Sequence, residues 1–228
     1  MSLNLYASPA GVELVTQAAA GRQLRILSPL PEGNPEDSAS SKNQAIEVLL
    51  WEDDYPGWIT AEALATLQPA DQIYQPHRLS RSQIRDRIPD VIAFAKAAMA
   101  RPNVYLWGGT LGPDYDCSGL VQAAFASVGV WLPRDSYQQE AFTQPIDQED
   151  LQPGDLIFFG AERTTHVALS LGGDGYIHSS GKQQGRNGIG IDVLSEAENQ
   201  VSRVYFQQRR GAARVMQSYQ SQGVPFQC

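Results

Sequence analysis

Asp116-Cys117-Ser118-Gly119-Leu120-Val121-Gln122-Ala123-Ala124-Phe125-Ala126-Ser127-Val128 is the stretch on which the reading of this chain turns. Leu120, Val121, Ala124, Phe125 and Val128 recur at i, i+1, i+4, i+5 and i+8, which is one apolar face of a helix. The helix is expected to begin at Cys117 or Ser118 and to end at Gly129. Upstream, the stretch from Arg101 to Asp116 carries Trp107-Gly108-Gly109 and Gly112-Pro113 and reads as a loop. Cys117 therefore stands where a loop enters a helix. The unpaired N–H groups of a first turn and the positive end of the helix dipole favour a thiolate there. The bland alternative is a buried cysteine packed as a small hydrophobe.

Working outward, a preceding helix is expected from Pro89, with Val91, Ile92, Ala95 and Met99 on one stripe. After Gln152-Pro153-Gly154 come strand-like runs at Asp155–Phe159, His166–Leu171, Gly175–Ser179, Gly190–Val193 and Arg203–Phe206. A helical pair followed by an antiparallel sheet is an α+β layout. Two of the three histidines, His166 and His178, flank Leu171-Gly172-Gly173-Asp174-Gly175, a hairpin signal. If the loop is Leu171 to Gly173, the two histidines lie opposite one another; a slip in register sets them diagonal or on opposite faces. Side by side, one imidazole can take a thiol proton while the other orients it. Two competitors stay open from the residues alone: ordinary polar residues on a solvated sheet face, and a Cys/His/His zinc site. His77 falls in a polar stretch and is read as a bystander.

Residues 1–70 have a different texture. Gln23–Leu27 and Ala45–Trp51 read as strands, Gly57-Trp58-Ile59 starts another, and Pro29 to Asn43 reads as a surface loop. Short strands in so little chain suggest a small antiparallel barrel. Residues 71–88 are poor in apolar side chains and read as a linker, with a second domain over 89–228.

The formal net charge of −8 comes without a Lys/Arg cluster, which disfavours nucleic acid and anionic membrane as partners. The N-terminus lacks a basic segment followed by an apolar one, and no apolar run approaches a membrane span. A cytoplasmic monomer is expected, with export to the cell wall as the alternative. Two cysteines, Cys117 and the final Cys228, do not make a disulfide framework.

Asp116-Cys117-Ser118-Gly119-Leu120, preceded by Tyr105-Leu106-Trp107-Gly108-Gly109, resembles the NlpC-type cell-wall cysteine peptidases. So do Leu132-Pro133-Arg134-Asp135-Ser136, Leu151-Gln152-Pro153-Gly154-Asp155-Leu156, Thr165-His166-Val167-Ala168-Leu169 and Tyr176-Ile177-His178-Ser179-Ser180, all in collinear order. Glu47 to Thr60 is similar to a bacterial SH3-like barrel, in which a Gly-Trp packs on the core. The resemblance implies a papain-like α+β core behind an SH3-like barrel and no cofactor. It implies Cys117 as nucleophile, His166 as base, His178 as the third polar member and Tyr105 near the oxyanion. Asp116, Ser118, Trp107, Gly108, Arg134 and Ser136 would line the substrate, joined by Tyr55 from the barrel. The implied reaction is hydrolysis of a γ-D-glutamyl–diamino acid bond in peptidoglycan-derived peptides. The acidic Asp53-Asp54-Tyr55 loop and Asp116 are expected to hold the ammonium of a free N-terminal L-Ala. A non-catalytic binding module on the same fold is the alternative of another class.

Overall fold

A computed structural model describes residues 2–28, 45–196 and 199–226. The loop read at Pro29 to Asn43 and the terminal Cys228 lie outside them.

Five strands make the first layer: β1 (Ser2–Tyr6), β2 (Leu14–Ala19), β3 (Leu24–Ile26), β4 (Ala45–Leu50) and β5 (Pro56–Thr60). They pair antiparallel in the order β2-β1-β5-β4-β3. Leu5, Ala18, Ile46, Val48, Leu50 and Ile59 form its core. Period-2 alternation explains the choice: Ile46, Val48 and Leu50 point one way along β4. Of the Gly57-Trp58 pair, Gly57 lies against Leu5 of this core as expected, and Trp58 does not join it. Ile59 fills the core, while Trp58 falls on the other face, half-buried and paired with Glu47 and Tyr6. A single turn, α1 (Ala61–Leu64), closes this layer, capped by the Thr60 hydroxyl.

The stretch read as a linker contains a helix, α2 (Arg81–Arg85). Its start is a Ser80/Gln83 capping box, in which each side chain satisfies the other residue's backbone N–H. α3 (Ile88–Met99) follows with Pro89 in its first turn. A short ribbon, β6 (Thr110–Leu111) with β7 (Asp114–Tyr115), leads into α4 (Cys117–Ala126). Gly129, at φ +79°, stands just beyond the end of α4. α5 (Ser136–Phe142) is another helix that the sequence pattern did not reveal, since Tyr137, Ala141 and Phe142 make no repeating apolar stripe in its seven residues.

The second sheet comprises β8 (Gln144–Ile146), β9 (Leu156–Phe159), β10 (His166–Gly172), β11 (Gly175–Ser180), β12 (Gly188–Val193) and β13 (Arg209–Arg214), in the order β12-β11-β10-β9-β13-β8. Helices cover both faces. Val91, Leu120, Val121 and Phe125 pack with Leu156, Phe158, Val167 and Leu169 on one side. Ile157, Phe159, Ala168 and Tyr176 pack with Val201 and Tyr205 of α6 (Gln200–Gln207) on the other. Burial on both faces explains why β9 is an unbroken Leu-Ile-Phe-Phe run. Arg203–Phe206, read as a strand, lies within α6. Asn199 starts that helix by accepting the Ser202 N–H at 2.8 Å, and Val201 and Tyr205, at i and i+4, face the sheet.

The two layers are bolted together by buried polar groups. Arg134 reaches from the body to Thr16 Oγ1 of β2 at 3.1 Å. Gln122 of α4 donates to Asp53 at 2.9 Å, and Arg22 stacks over Trp131.

Candidate active site

Cys117 is the first residue of α4, and Asp116 caps that helix by accepting the Gly119 N–H at 2.7 Å. The start of α4 meets the start of β10, so the Cys117 sulfur accepts hydrogen bonds from the backbone N–H groups of Val167 and Ser118. His166 is the residue before Val167. The hairpin register pairs Leu169 with Ile177 and Ser170 with Tyr176, with a bulge before Gly172. Carried on, that register sets His178 beside Ala168, so the two histidines are diagonal on one face and not directly opposite. The diagonal still joins them: His166 Nε2 and His178 Nδ1 are 2.8 Å apart. Beyond lies Asp192 of β12, whose Oδ2 is 2.9 Å from His178 Nε2. Each histidine therefore uses a ring nitrogen on the next group of a chain, an arrangement unlike ligands converging on a metal.

Electrostatics set the proton positions. Burial raises the Asp192 carboxyl, but the hydrogen bond and charge of His178, with Arg186, outweigh burial and leave it lowered. Burial lowers His178 against the opposing pull of Asp192, and burial followed by His178 holds His166 well below the usual 6.5. An ionised Asp192 accepts the Nε2 proton of neutral His178. The bare His178 Nδ1 then accepts from His166 Nε2–H, which leaves His166 Nδ1 as a lone pair. Tyr205 stacks on the His166 ring with centroids 4.3 Å apart. Its hydroxyl lies 3.5 Å from Nδ1 and 2.8 Å from Ser180 Oγ. Burial, followed by the charge of Asp116, pushes the Cys117 thiol up to about 12 against the Val167 and Ser118 N–H groups. The lowered thiol expected from the helix N-terminus is thus offset by desolvation.

Tyr105 is bridged to Tyr115, and its phenol is raised by burial, followed by the charge of Cys117. Trp107 is 63% exposed at the rim. Gly108 has φ +76°, and a Cβ there would fall 2.5 Å from the Leu14 carbonyl oxygen, so this glycine lets the loop touch the barrel. The remaining expected ligands of substrate are tied inward. Asp116 accepts from Gly108 N and from Arg134 NH2 at 2.9 and 2.6 Å. Arg134 is 1% exposed, its donors taken by Asp116, Ser118 and Thr16, and Ser136 is buried. Asp53 and Asp54 are buried too. Asp53 holds Arg22 and Gln122, while Asp54 accepts from Tyr219 Oη, Ser221 Oγ and the N–H groups of Gln222 and Gly223. The Asp53-Asp54 carboxylates therefore fasten the barrel and do not face a cleft. Tyr55 does reach the body, where its hydroxyl lies 3.2 Å from both oxygens of half-buried Asp135. Asp192, Tyr205 and Asp135 were not singled out from sequence. Placing Asp192 requires the β11–β12 register, in which His178 pairs with Gly190 and Asp192 is the next residue on that face. Placing Tyr205 requires recognising α6 as a helix.

A family model described as NlpC/P60 family matches residues 102–215, and one for the bacterial dipeptidyl-peptidase Sh3 domain matches 5–64. A gamma-D-glutamyl-L-lysine dipeptidyl-peptidase of Bacillus cereus is 40% identical over 94 residues, which are 40% of this chain and 28% of that protein. The protein of that name from Bacillus subtilis is 32% identical over 121 residues, 51% of this chain and 38% of its own length. The chain thus spans well under half the length of these two relatives. A crystal structure of an NlpC/P60 family protein from Bacillus cereus superposes with a TM-score of 0.67, covering 94% of this chain and 97% of that one at 19% identity, a likeness of fold.

Proposed function

The chain belongs to the NlpC/P60 family, and on that premise we propose that it is a cysteine peptidase that hydrolyses the γ-D-glutamyl–diamino acid bond of cell-wall peptides. The observation that carries this reading is the hydrogen-bonded series His166–His178–Asp192, which begins one residue before Val167, the strand residue whose backbone N–H reaches the Cys117 sulfur. The Cys117 proton passes to His166 Nδ1 as sulfur attacks the γ-carbonyl carbon. The resulting oxyanion takes hydrogen bonds at the α4 N-terminus, with the Tyr105 hydroxyl alongside. Collapse breaks the C–N bond, and His166 gives its proton to the departing amine. Water then loses a proton to His166 and attacks the thioester, and C–S cleavage restores the thiol.

The substrate half of the proposal is a free L-Ala-γ-D-Glu end, as in recycled wall peptides met in the cytoplasm. Tyr55 and Asp135 support it, because a phenol and a half-buried carboxylate at the barrel–body seam match an ammonium. Both relatives described above carry gamma-D-glutamyl-L-lysine in their names, in line with this bond. The test is mass spectrometry of products from L-Ala-γ-D-Glu-diamino acid, with wild type beside Cys117→Ala. Cleavage at the γ-glutamyl bond by wild type alone is expected; cleavage by both proteins rejects Cys117 as nucleophile. Equal rates on the N-acetylated tripeptide reject the free-amine requirement, and clearing of intact sacculi in preference to the tripeptide favours the exported alternative.

A further inference from the structure

Asp192 is buried at 2% exposure on β12, the edge strand of the six-stranded sheet, an unusual place for a carboxylate unless its neighbours hold it there. They do so on both oxygens. Oδ2 accepts from Arg186 NH2 at 2.6 Å and faces His178 Nε2 at 2.9 Å, while Oδ1 accepts from Ser202 Oγ at 3.2 Å. Ser202 Oγ in turn accepts from Val193 N–H and from the Asn199 amide, which commits its own proton to Asp192. Arg186 caps the arrangement from a partly exposed position.

We propose that Asp192 is a positioning residue that dictates which nitrogen of His166 bears the proton, acting through His178. The inference rests on the cysteine-peptidase reading above. An imidazole between a carboxylate and a second imidazole has one orientation of donors that satisfies every bond. Asp192 accepts only, so His178 must donate from Nε2 and accept at Nδ1; His166 must then donate from Nε2, which bares Nδ1. Reversing the series would aim a ring lone pair at a carboxylate oxygen, an arrangement with no proton to share. Asp192 also sits where it stabilises positive charge on the pair when His166 takes the thiol proton, in the way a buried carboxylate serves an imidazolium. Arg186 works against it by placing a cation on the same oxygen. The other titratable groups around the pair are Cys117 from α4, Tyr205 from α6 and Tyr176 from β11. The tyrosines are held protonated by burial, so Asp192 and Arg186 are the charges that bear on it.

The experiment is a pH titration of the histidine ring nitrogens by 15N NMR in wild type, Asp192→Asn and Arg186→Gln, beside kcat/KM on the tripeptide. In wild type at pH 7.5, both rings are expected protonated at Nε2 and bare at Nδ1. Asp192→Asn is expected to move protonation of the pair, and the acid limb of kcat/KM, to lower pH and to reduce kcat/KM about tenfold or more. Arg186→Gln is expected to move both to higher pH. A residue with a merely structural role does not produce opposite shifts. Unmoved or parallel shifts in folded variants overturn the proposal, as does a wild-type His166 protonated at Nδ1. Should Asp192→Asn fail to fold, the wild-type tautomer and the Arg186→Gln shift decide by themselves. The spectra need no substrate, so an inert tripeptide would reject the peptidase reading without touching the tautomer assignment.

Discussion

A neutral thiol beside a neutral imidazole is the resting pair that burial imposes on Cys117 and His166, because each charged form loses its hydration there. Proton transfer must then accompany attack, in contrast to a thiolate–imidazolium pair formed in advance. Two measurements follow. The iodoacetamide rate at Cys117 should climb with pH through the neutral range, since burial pushes the thiol up to about 12; a level rate from pH 5 to 8 would show a preformed ion pair. In kcat/KM, the acid limb should lie below pH 6.5, where His166 gains its proton, with a plateau above it. At this scale the sequence was most informative for Cys117, His166 and His178, whose chemistry depends on residue type and on local signals: a helix start and a hairpin. Arg134 and Asp53 were read as ligands of substrate because side-chain type says nothing about which partner reaches it first. Here the partners are Asp116 and Arg22, contributed by distant parts of the chain.

Helices α2, α5 and α6 differ from the long α3 and α4 in what makes them legible. α4 shows an apolar face that repeats for two turns, whereas α2 and α5 are short, and their caps carry the information. The Ser80/Gln83 box was readable in principle. Arg203–Phe206 reads as a strand because Val204 and Phe206 alternate with Arg203 and Tyr205, while the decisive signal for α6, Asn199 three residues before Ser202, lies upstream. β13 carries Gly211, Ala212 and Ala213, small residues without strand preference, and it is held by its neighbours β9 and β8. The cap matters to the site, since α6 carries Tyr205 onto the His166 ring. Asn199→Ala should therefore cost about 1 kcal/mol in urea denaturation and lower kcat, not KM alone. A loss of stability with unchanged kcat would mean that the Tyr205 stack is held by packing without help from the helix start.

Between the barrel and the body, specificity of docking rests on charges removed from water. Arg134 is the guanidinium opposite Asp116, and truncating it would leave a buried carboxylate uncompensated. Arg134→Ala should cost on the order of 3–5 kcal/mol, read from the urea midpoint, and Asp116→Asn in the same background should recover part of it. Acid should act on the whole molecule in one direction. His166 and His178 have folded values below the unfolded value of about 6.5, so unfolding takes up protons as pH falls below that value and stability declines. Asp192, lowered in the fold, adds stability above about pH 4 that disappears as pH drops through its folded value. A urea midpoint that is level from pH 8 to 5 would contradict the neutral histidines.

Asp54, at φ +53°, gathers Tyr219, Ser221, Gln222 and Gly223 onto the barrel, so the last described stretch of chain fastens to a loop of the first layer. Mechanically this is a buckle. A load applied between residues 2 and 226 would strain those few bonds before it reached the six-stranded sheet, and a force–extension trace should show a small early rupture ahead of the main one. Carboxypeptidase trimming past Tyr219 should remove that first event and leave the second.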